Sequence, residues 1–457
     1  MATTTTMMEM QPRSPQQAAL RSPKDQIIPL QEEPRSNQTD ITRPGDVFSG
    51  TGHVVLKKER WNNPKINTWR LAAIYYAFIV FGANDASYGA LVPYIEEDYG
   101  LSYLVTSLVF LSPFAGYTFS ALFSDRLHRL SGRRGIAIIG PASKLIAYIV
   151  ISCHPPYPAV VVILALVGIG NGLLDAAWNA WIGTMDHPNQ LLGLLHGCYG
   201  LGATLSPIIA TSMVTRGHLN WWTFYYLMAG LVALEMIVVT SVFWSETGLK
   251  YRDTNRADGE EKGMTRRALR NKVTWICSAL FLTYVGTEVS LGGWIVTFML
   301  RVRHARPFPS GMTATGFWLG LTVGRIILGF ITPKIGEGPA ISVYIVFAVG
   351  LQLIFWLVPQ FFVSAIAIAL VGFFIGPIFP SGVVAATKLL PTELHVAAIG
   401  FSAAFGGGGA AVLPFAVGAI AQARGVQTLQ PIVVALLAGL LGIWLCLPKI
   451  PKHLHEN

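Results

Sequence analysis

The sequence predicts an all-α membrane protein of twelve transmembrane helices arranged as two pseudo-symmetric six-helix bundles. Three observations lead there. The 457 residues are 52% hydrophobic and only 12% charged, well outside the balance of a soluble domain. The apolar residues fall into runs of about 20, the length a helix needs to cross a bilayer. One long polar stretch, Ser245 to Lys272, divides those runs six and six.

Residues 1–68 are rich in Thr, Pro, Gln and charge and hold no sustained apolar run. Such a segment buries too little to offset its ordering entropy, so it is expected to be a disordered cytosolic tail and not a signal peptide. Ser14 and Ser22, each followed by Pro, have the form of proline-directed phosphorylation sites, although a solvated linker needs no such role. Asn37-Gln-Thr39 is a glycosylation sequon that a cytosolic location would silence. Spans 1 to 6 are expected at about 70–95, 104–124, 135–153, 157–183, 191–213 and 221–244, making an N-terminal bundle over 69–244. A cytosolic loop, 245–273, follows. Spans 7 to 12, at about 274–300, 310–332, 339–358, 361–382, 395–420 and 428–448, make a second bundle over 274–448, with a cytosolic tail at 449–457.

Most of the 33 Lys and Arg lie in the tails and in the loops after even-numbered spans. Because cations accumulate on the cytosolic side, both termini are expected there; Arg301, Arg303 and Arg306 are the main exception. A formal charge of +9 and a pI of about 9.4 do not indicate nucleic acid, because the cations sit in short blocks between apolar runs and form no basic face. Cys153, Cys198, Cys277 and Cys446 lie in or beside apolar runs at no metal-ligand spacing. No metal or cofactor is expected.

The two halves repeat. Span 1 carries Asp85-Ala-Ser87-Tyr-Gly89 and span 7 carries Glu288-Val-Ser290-Leu-Gly292, both reading acid-x-Ser-x-Gly. ALFSDRLHRLSGRRG (Ala121 to Gly135) after span 2 has a shorter echo in GFITPKIGEG (Gly329 to Gly338) after span 8, with Pro333 where Asp125 stands. Transporter folds are commonly built from such duplicated bundles, with the substrate site between them.

On these features the chain resembles the major facilitator superfamily over about residues 69–450. Its signature loop is similar to Asp125-Arg126 followed by Gly132-Arg133-Arg134, although Ala121 replaces the leading Gly and the loop is longer. The resemblance implies a charge latch at the inner face that breaks when the halves rock. YVGTEVSLGGWI, FWLGLTVGRIILG, LLHGCYGLGATLSP and GFSAAFGGGGAAVLP further resemble the fucose/proton symporter branch and its fungal relatives. In that branch a span 4 acid followed four residues later by Asn is implicated in proton and sugar handling, and Asp175 and Asn179 match that spacing. The branch also has a span 1 acid; Asp85 stands eight residues before Pro93, farther than in the bacterial sugar carrier.

A mid-span aspartate costs about 2.5 to 3.5 kcal/mol on insertion scales, so it persists only beside a cavity or a partner. Helical spacing puts Asn171, Asp175, Trp178 and Asn179 on one stripe. That stripe is expected to line a wet central cavity, with Asp175 suited to reversible protonation; the plainer alternative is an interhelical hydrogen bond or ion pair. Glu288 and Asp85 share the candidacy for proton coupling. Trp178 and Trp294 are candidate platforms for the flat CH face of a sugar, while Trp181 and Trp318 read as packing or interfacial anchors. Lys144 and Glu235 are expected to neutralise each other, Arg325 to pair with a carboxylate or snorkel, and His196 to pack or to titrate near neutral pH. The glycines Gly406 to Gly409 lack the lysine and strand of a phosphate loop and read as close helix packing.

The expected function is secondary active transport by alternating access, as proton-coupled symport of a sugar-like solute, by a monomer in the plasma membrane. The partners are a small-molecule solute, protons and the lipid bilayer. Proton-linked exporters of the superfamily usually carry a Gly-Pro signature in span 5, where this chain reads GLGATLSP, so export of a metabolite stands second. A non-transporting sensor that signals through its tail is the alternative of another class. No zinc-protease helix, serine elbow or nucleotide loop supports an enzyme.

Overall fold

A computed structural model describes residues 46–48, 54–56, 59–254 and 266–450. Ser14, Ser22, Asn37 and the tail at 451–457 lie outside the described residues. Within the segment expected to lack structure, strands β1 (Asp46–Phe48) and β2 (Val54–Leu56) pair antiparallel, Val47 opposite Val55, and Arg60 and Asn63 exchange backbone hydrogen bonds. Disorder therefore does not extend over the whole of 1–68.

The remainder is helical, as bilayer physics requires: lipid offers no partner for backbone N–H and C=O groups, so each crossing segment satisfies its own. Span 1 is Ile66–Tyr99, spans 2 and 3 share Leu108–Ser152, and spans 4, 5 and 6 are Tyr157–Gly183, Pro188–Thr215 and Phe224–Phe243. Spans 7, 8 and 9 are Lys272–Arg301, Pro307–Ile335 and Glu337–Leu357. Span 10 is split into Phe361–Ile375 and Ile378–Leu389 around Gly376-Pro377, and spans 11 and 12 are His395–Arg424 and Leu429–Leu445. Among the described residues, eleven helical stretches are long and apolar enough to cross a membrane, one of them the 50-residue stretch Tyr103–Ser152.

That stretch holds two crossings. Its backbone breaks at Gly132 (φ 69°, ψ −170°), and its two arms run in opposite directions along span 4. In the first arm Ser112 bonds the Val161 carbonyl and Ser120 bonds the Ile169 carbonyl, so numbers rise together and the arm is parallel to span 4. In the second arm Gly140 abuts Leu174 while Lys144 abuts Gly170, so the arm is antiparallel. The described residues thus hold twelve crossings.

Helix neighbours reveal the duplication. In the first half span 1 packs on 5, 2 on 4 and 3 on 6; in the second, 7 packs on 11, 8 on 10 and 9 on 12. Adding six to each number of the first set gives the second. The halves meet through 1 against 7, 5 against 8 and 2 against 11, contacts that the same operation maps onto one another. Lys144 and Glu235 are 1% and 0% exposed and pair at 2.7 Å between spans 3 and 6, the expected neutralisation. Large apolar side chains face outward, Phe330 at 75%, Phe362 at 74% and Val162 at 72% exposure, a surface suited to lipid and not to water.

Candidate transport site

The two copies of the acid-x-Ser-x-Gly motif meet at the seam between the halves. A Cβ on Gly89 would lie 1.8 Å from the Gly292 carbonyl oxygen, so spans 1 and 7 cross backbone against backbone where no side chain fits. Gly89 permits the crossing, Gly292 makes room for Trp318 of span 8, and Asp85 and Glu288 stand one turn from these glycines on opposite halves.

The seam closes toward one end of the molecule and opens toward the other. At the closed end, predicted to be extracytosolic, Arg301 meets Glu96 at 3.5 Å, the Tyr103 N–H donates to the Gln422 amide oxygen at 3.0 Å, and the Arg216 guanidinium lies 3.7 Å from the centre of the Phe308 ring. A Cβ on Gly311 would meet Thr211, and one on Gly418 would meet Ser107. Midway, Gly200 of span 5 still abuts Thr322 of span 8. Farther along the same face of span 5, Gly193 and Gly197 have nothing within 4 Å, and Gly407 and Gly400, on the Gly418 face of span 11, have nothing either. His196 is exposed there although it lies well inside its helix.

Two carboxylates of the first half occupy this region in different settings. Asp85 accepts from Asn84 Nδ2 at 3.0 Å and from the Tyr199 hydroxyl of span 5 at 2.9 Å. Asn84 is itself oriented by the Tyr148 hydroxyl, which donates to its Oδ1 at 2.8 Å. Asp175 is half-buried and accepts from Asn179 Nδ2 at 2.8 Å, one turn along the same helix. The spacing that singled out this pair is the i, i+4 geometry of a local hydrogen bond. Tyr117 of span 2 lies within electrostatic reach of both acids.

The second half contributes an ion pair. Glu288 is 5% exposed and receives Arg325 NH2 at 3.1 and 3.0 Å on its two oxygens. The same nitrogen reaches the Tyr284 hydroxyl at 3.2 Å, and Arg325 Nε donates to the carbonyl of Gly376 at 3.2 Å, where span 10 breaks. Arg325 thus pairs and does not snorkel. His196 and Tyr199 both lie within electrostatic reach of Arg325, which ties the two sets of polar groups across the seam.

The aromatic candidates sit elsewhere. Trp178 is 0% exposed and stacks on Phe243 of span 6 with ring centres 4.5 Å apart. Asn171, next to it on the stripe, is 2% exposed. Trp294, also 0% exposed, donates to the Pro414 carbonyl at 2.9 Å. In this conformation all three are packed between helices, which corrects the expectation that Asn171 and Trp178 line a cavity and that Trp178 and Trp294 present open ring faces; on the same stripe Asp175 and Asn179 are partly exposed. Tyr199, Tyr148, Asn84 and Tyr284 were not singled out from the sequence; their partners lie on other helices, and a tyrosine in an apolar run reads as packing.

The loop between spans 2 and 3 docks within its own half. Asp125 pairs with Arg129 one turn away at 3.0 Å, both largely exposed, and Arg126 is exposed beside them. Arg133 NH1 reaches Glu246 Oε2 at 3.4 Å, the Arg134 N–H donates to the Glu246 carbonyl at 2.9 Å, and Arg134 stacks on Trp244. Arg70 at the start of span 1 completes the cluster, bonding Glu246 Oε1 at 2.8 Å. Burial alone would push the Glu246 carboxyl up, but the hydrogen bond from Lys250 and the charges of Arg70, Lys250 and Arg133 outweigh it and hold the group below the ordinary glutamate value. Among the described residues, these contacts tie the loop to the segment after span 6 and not to the other bundle.

Comparison with known proteins gives the same picture. Residues 74–359 match the Major Facilitator Superfamily. Bypass of stop codon protein 6 of Saccharomyces cerevisiae is 30% identical, over 88% of this chain and 89% of its own length. The glucose/mannose transporter GlcP of Bacillus subtilis is 21% identical, over 75% and 86%. Among solved structures, a bacterial homolog of the human lysosomal transporter Spinster, in an inward-facing and unoccupied conformation, aligns over 83% of this chain and 96% of its own with a TM-score of 0.65 at 13% identity. The chain is thus a multi-pass integral membrane transporter, not an enzyme, and it belongs to the Major Facilitator Superfamily.

Proposed function

We propose that the protein is a proton-coupled symporter of a sugar-like solute, of the fucose/proton symporter type, working as a monomer in the plasma membrane with both termini cytosolic. The observation that carries this reading is a pair of carboxylates, Asp85 and Asp175, on one wall of a space open to one end of the molecule, opposite the Glu288–Arg325 pair. Acids at such depth persist beside a cavity or a partner, and here they stand where a solute would pass. Asp175 has only its own helix's Asn179 as a described hydrogen-bond partner, which leaves it free to exchange a proton with solute or water. Glu288, held by a guanidinium, serves better to orient the second half than to carry the proton.

Asn179 and Asp175 offer amide and carboxyl groups for ring hydroxyls. The Bacillus relative's name, a glucose/mannose transporter, favours a hexose-like solute. With the charge bias setting sidedness, the structure is inward-open, and the contacts Glu96–Arg301 and Arg216–Phe308 are those that part when it opens outward. Coupling requires that protonation change solute affinity or this inward/outward balance.

Counterflow of labelled hexoses and polyols in proteoliposomes tests the reading. Exchange of at least one of them, faster than in empty vesicles and blocked by excess unlabelled compound, is the expected result. Flux of none of them, with hydrophobic metabolites exchanged instead, would contradict it.

A further inference from the structure

Asp85 is held differently from every other acid near the seam. Both of its oxygens accept from neutral donors on two helices, Asn84 on span 1 and Tyr199 on span 5, and no cation bonds it. The Asn84 amide nitrogen can only donate, whereas the Tyr199 hydroxyl can donate or accept, so protonation of the Asp85 oxygen that it meets reverses that bond and turns the hydroxyl hydrogen elsewhere.

Tyr199 also sits at the seam. Its own carbonyl lies against Gly82 of span 1, where a Cβ would come within 1.9 Å, while the next residue, Gly200, abuts Thr322 of span 8 so closely that a Cβ would lie 2.5 Å from the Thr322 hydroxyl oxygen. Its ring packs edge-on against Phe81 at 5.2 Å. The segment is therefore wedged between the helix that bears Asp85 and the opposite half. A hydroxyl that changes partner here cannot be absorbed by loose packing.

We propose that Tyr199 is the positioning residue for Asp85: its hydroxyl holds the carboxylate, and its place beside Gly200 hands the protonation state of Asp85 to the contact between the halves. The inference rests on the proposed proton coupling through the Asp85 and Asp175 carboxylates and extends it by naming the group that responds when Asp85, rather than Asp175, holds the proton. The ionisable groups around Asp85 are Tyr88 of span 1, Tyr117 of span 2, Lys144 and Tyr148 of span 3, Asp175 of span 4 and Tyr199. Lys144 is already paired with Glu235, so Tyr199 is the group that links Asp85 to span 5. Beyond it lie Glu288 and Arg325.

The test needs no solute. Infrared titration of the full-length protein in lipid follows the protonated-carboxyl band, and Asp85→Asn identifies the component that belongs to Asp85. Tyr199→Phe keeps the ring and removes the donor. A hydrogen bond to a charged group amounts to about one pH unit, so the Asp85 component is expected to shift by about that much in Tyr199→Phe. Deuterium uptake around Gly200 and Thr322, corrected for intrinsic exchange, should change across that titration in the wild type and lose the change in Tyr199→Phe. An unmoved titration, or a seam whose protection ignores the Asp85 component, overturns the proposal. An unchanged unfolding temperature and unchanged deuterium uptake outside the seam guard against a packing defect in Tyr199→Phe, which differs from the wild type only by the hydroxyl oxygen. Hexose counterflow is scored separately, so absent transport and an absent Tyr199 effect are distinguishable outcomes.

Discussion

At the scale of single residues, buried charges follow one rule: each is met by a partner, and breaking a pair costs more than never having built it. Lys144 and Glu235 are the clearest case, fully buried and bonded at 2.7 and 2.8 Å. Glu235→Gln leaves an ammonium without its counter-ion and is expected to cost about 3 to 5 kcal/mol, whereas Lys144→Met combined with Glu235→Leu should recover most of the loss. Thermal unfolding of the purified variants checks this, and a single variant as stable as wild type would contradict it. Pairings of this kind were only partly legible in the sequence. Lys144 with Glu235 could be read, because two opposite charges stranded in neighbouring apolar spans need each other, while Asp175 and Asn179 were read as a motif spacing and not as partners. Asp85 with Tyr199, Glu288 with Arg325 and Arg70 with Glu246 could not, since helical periodicity says which residues share a face and nothing about which helix that face meets. The stripe containing Trp178 shows the limit. At about 100° per residue the four positions span about 100° of the helix, so one edge, Asn171 and Trp178, is buried, with Trp178 on Phe243 of span 6, while the other, Asp175 and Asn179, stays partly exposed.

At the scale of elements, the twelve crossings were legible in number and order, because desolvation of the backbone forces every apolar run of sufficient length to be a helix, while spans 2 and 10 run about seven residues beyond their expected ends, to the break at Gly132 and to Leu389. What periodicity could not reveal is how the loops lock. Gly132 adopts φ 69°, and a Cβ there would lie 2.3 Å from the Thr247 carbonyl carbon, so the loop between spans 2 and 3 seats directly on the chain after span 6. Gly132→Ala should cost about 1 to 3 kcal/mol through left-handed strain and more through the collision, seen as a lowered unfolding temperature; an unchanged one would show that the seat is dispensable. The Glu246 cluster adds a pH dependence. Its carboxyl is held below the ordinary value, so its contribution is complete above about pH 4.3 and is lost as pH falls through the depressed value. Deuterium uptake of the Gly132–Arg134 segment, corrected for intrinsic exchange, should rise below about pH 4 in the wild type. In Glu246→Gln it should already be high at neutral pH; a flat response in the wild type would remove the cluster from the account.

At the scale of the whole molecule, the duplication legible in two short motifs becomes a set of helix pairings related by six, with the motif glycines Gly89 and Gly292 in contact at the centre. The sequence indicated two halves but not their relative tilt, because the same sequence must serve every state of the transport cycle. Sidedness is testable directly: with the exposed Cys153 and Cys446 replaced by serine, a cysteine at Leu249, which is 68% exposed, should react with an impermeant reagent only after cells are opened, and reaction in intact cells would reverse the orientation. The central claim is that Asp175 couples solute movement to protons, and Asp175→Asn in proteoliposomes addresses it most directly, since the amide keeps shape and hydrogen bonding but cannot ionise. With a hexose that the wild type exchanges, the variant is predicted to retain exchange at equilibrium while losing accumulation driven by a pH gradient. A variant that still concentrates the hexose against its gradient, with an unchanged pH profile, would contradict the account and leave Asp175 a structural residue.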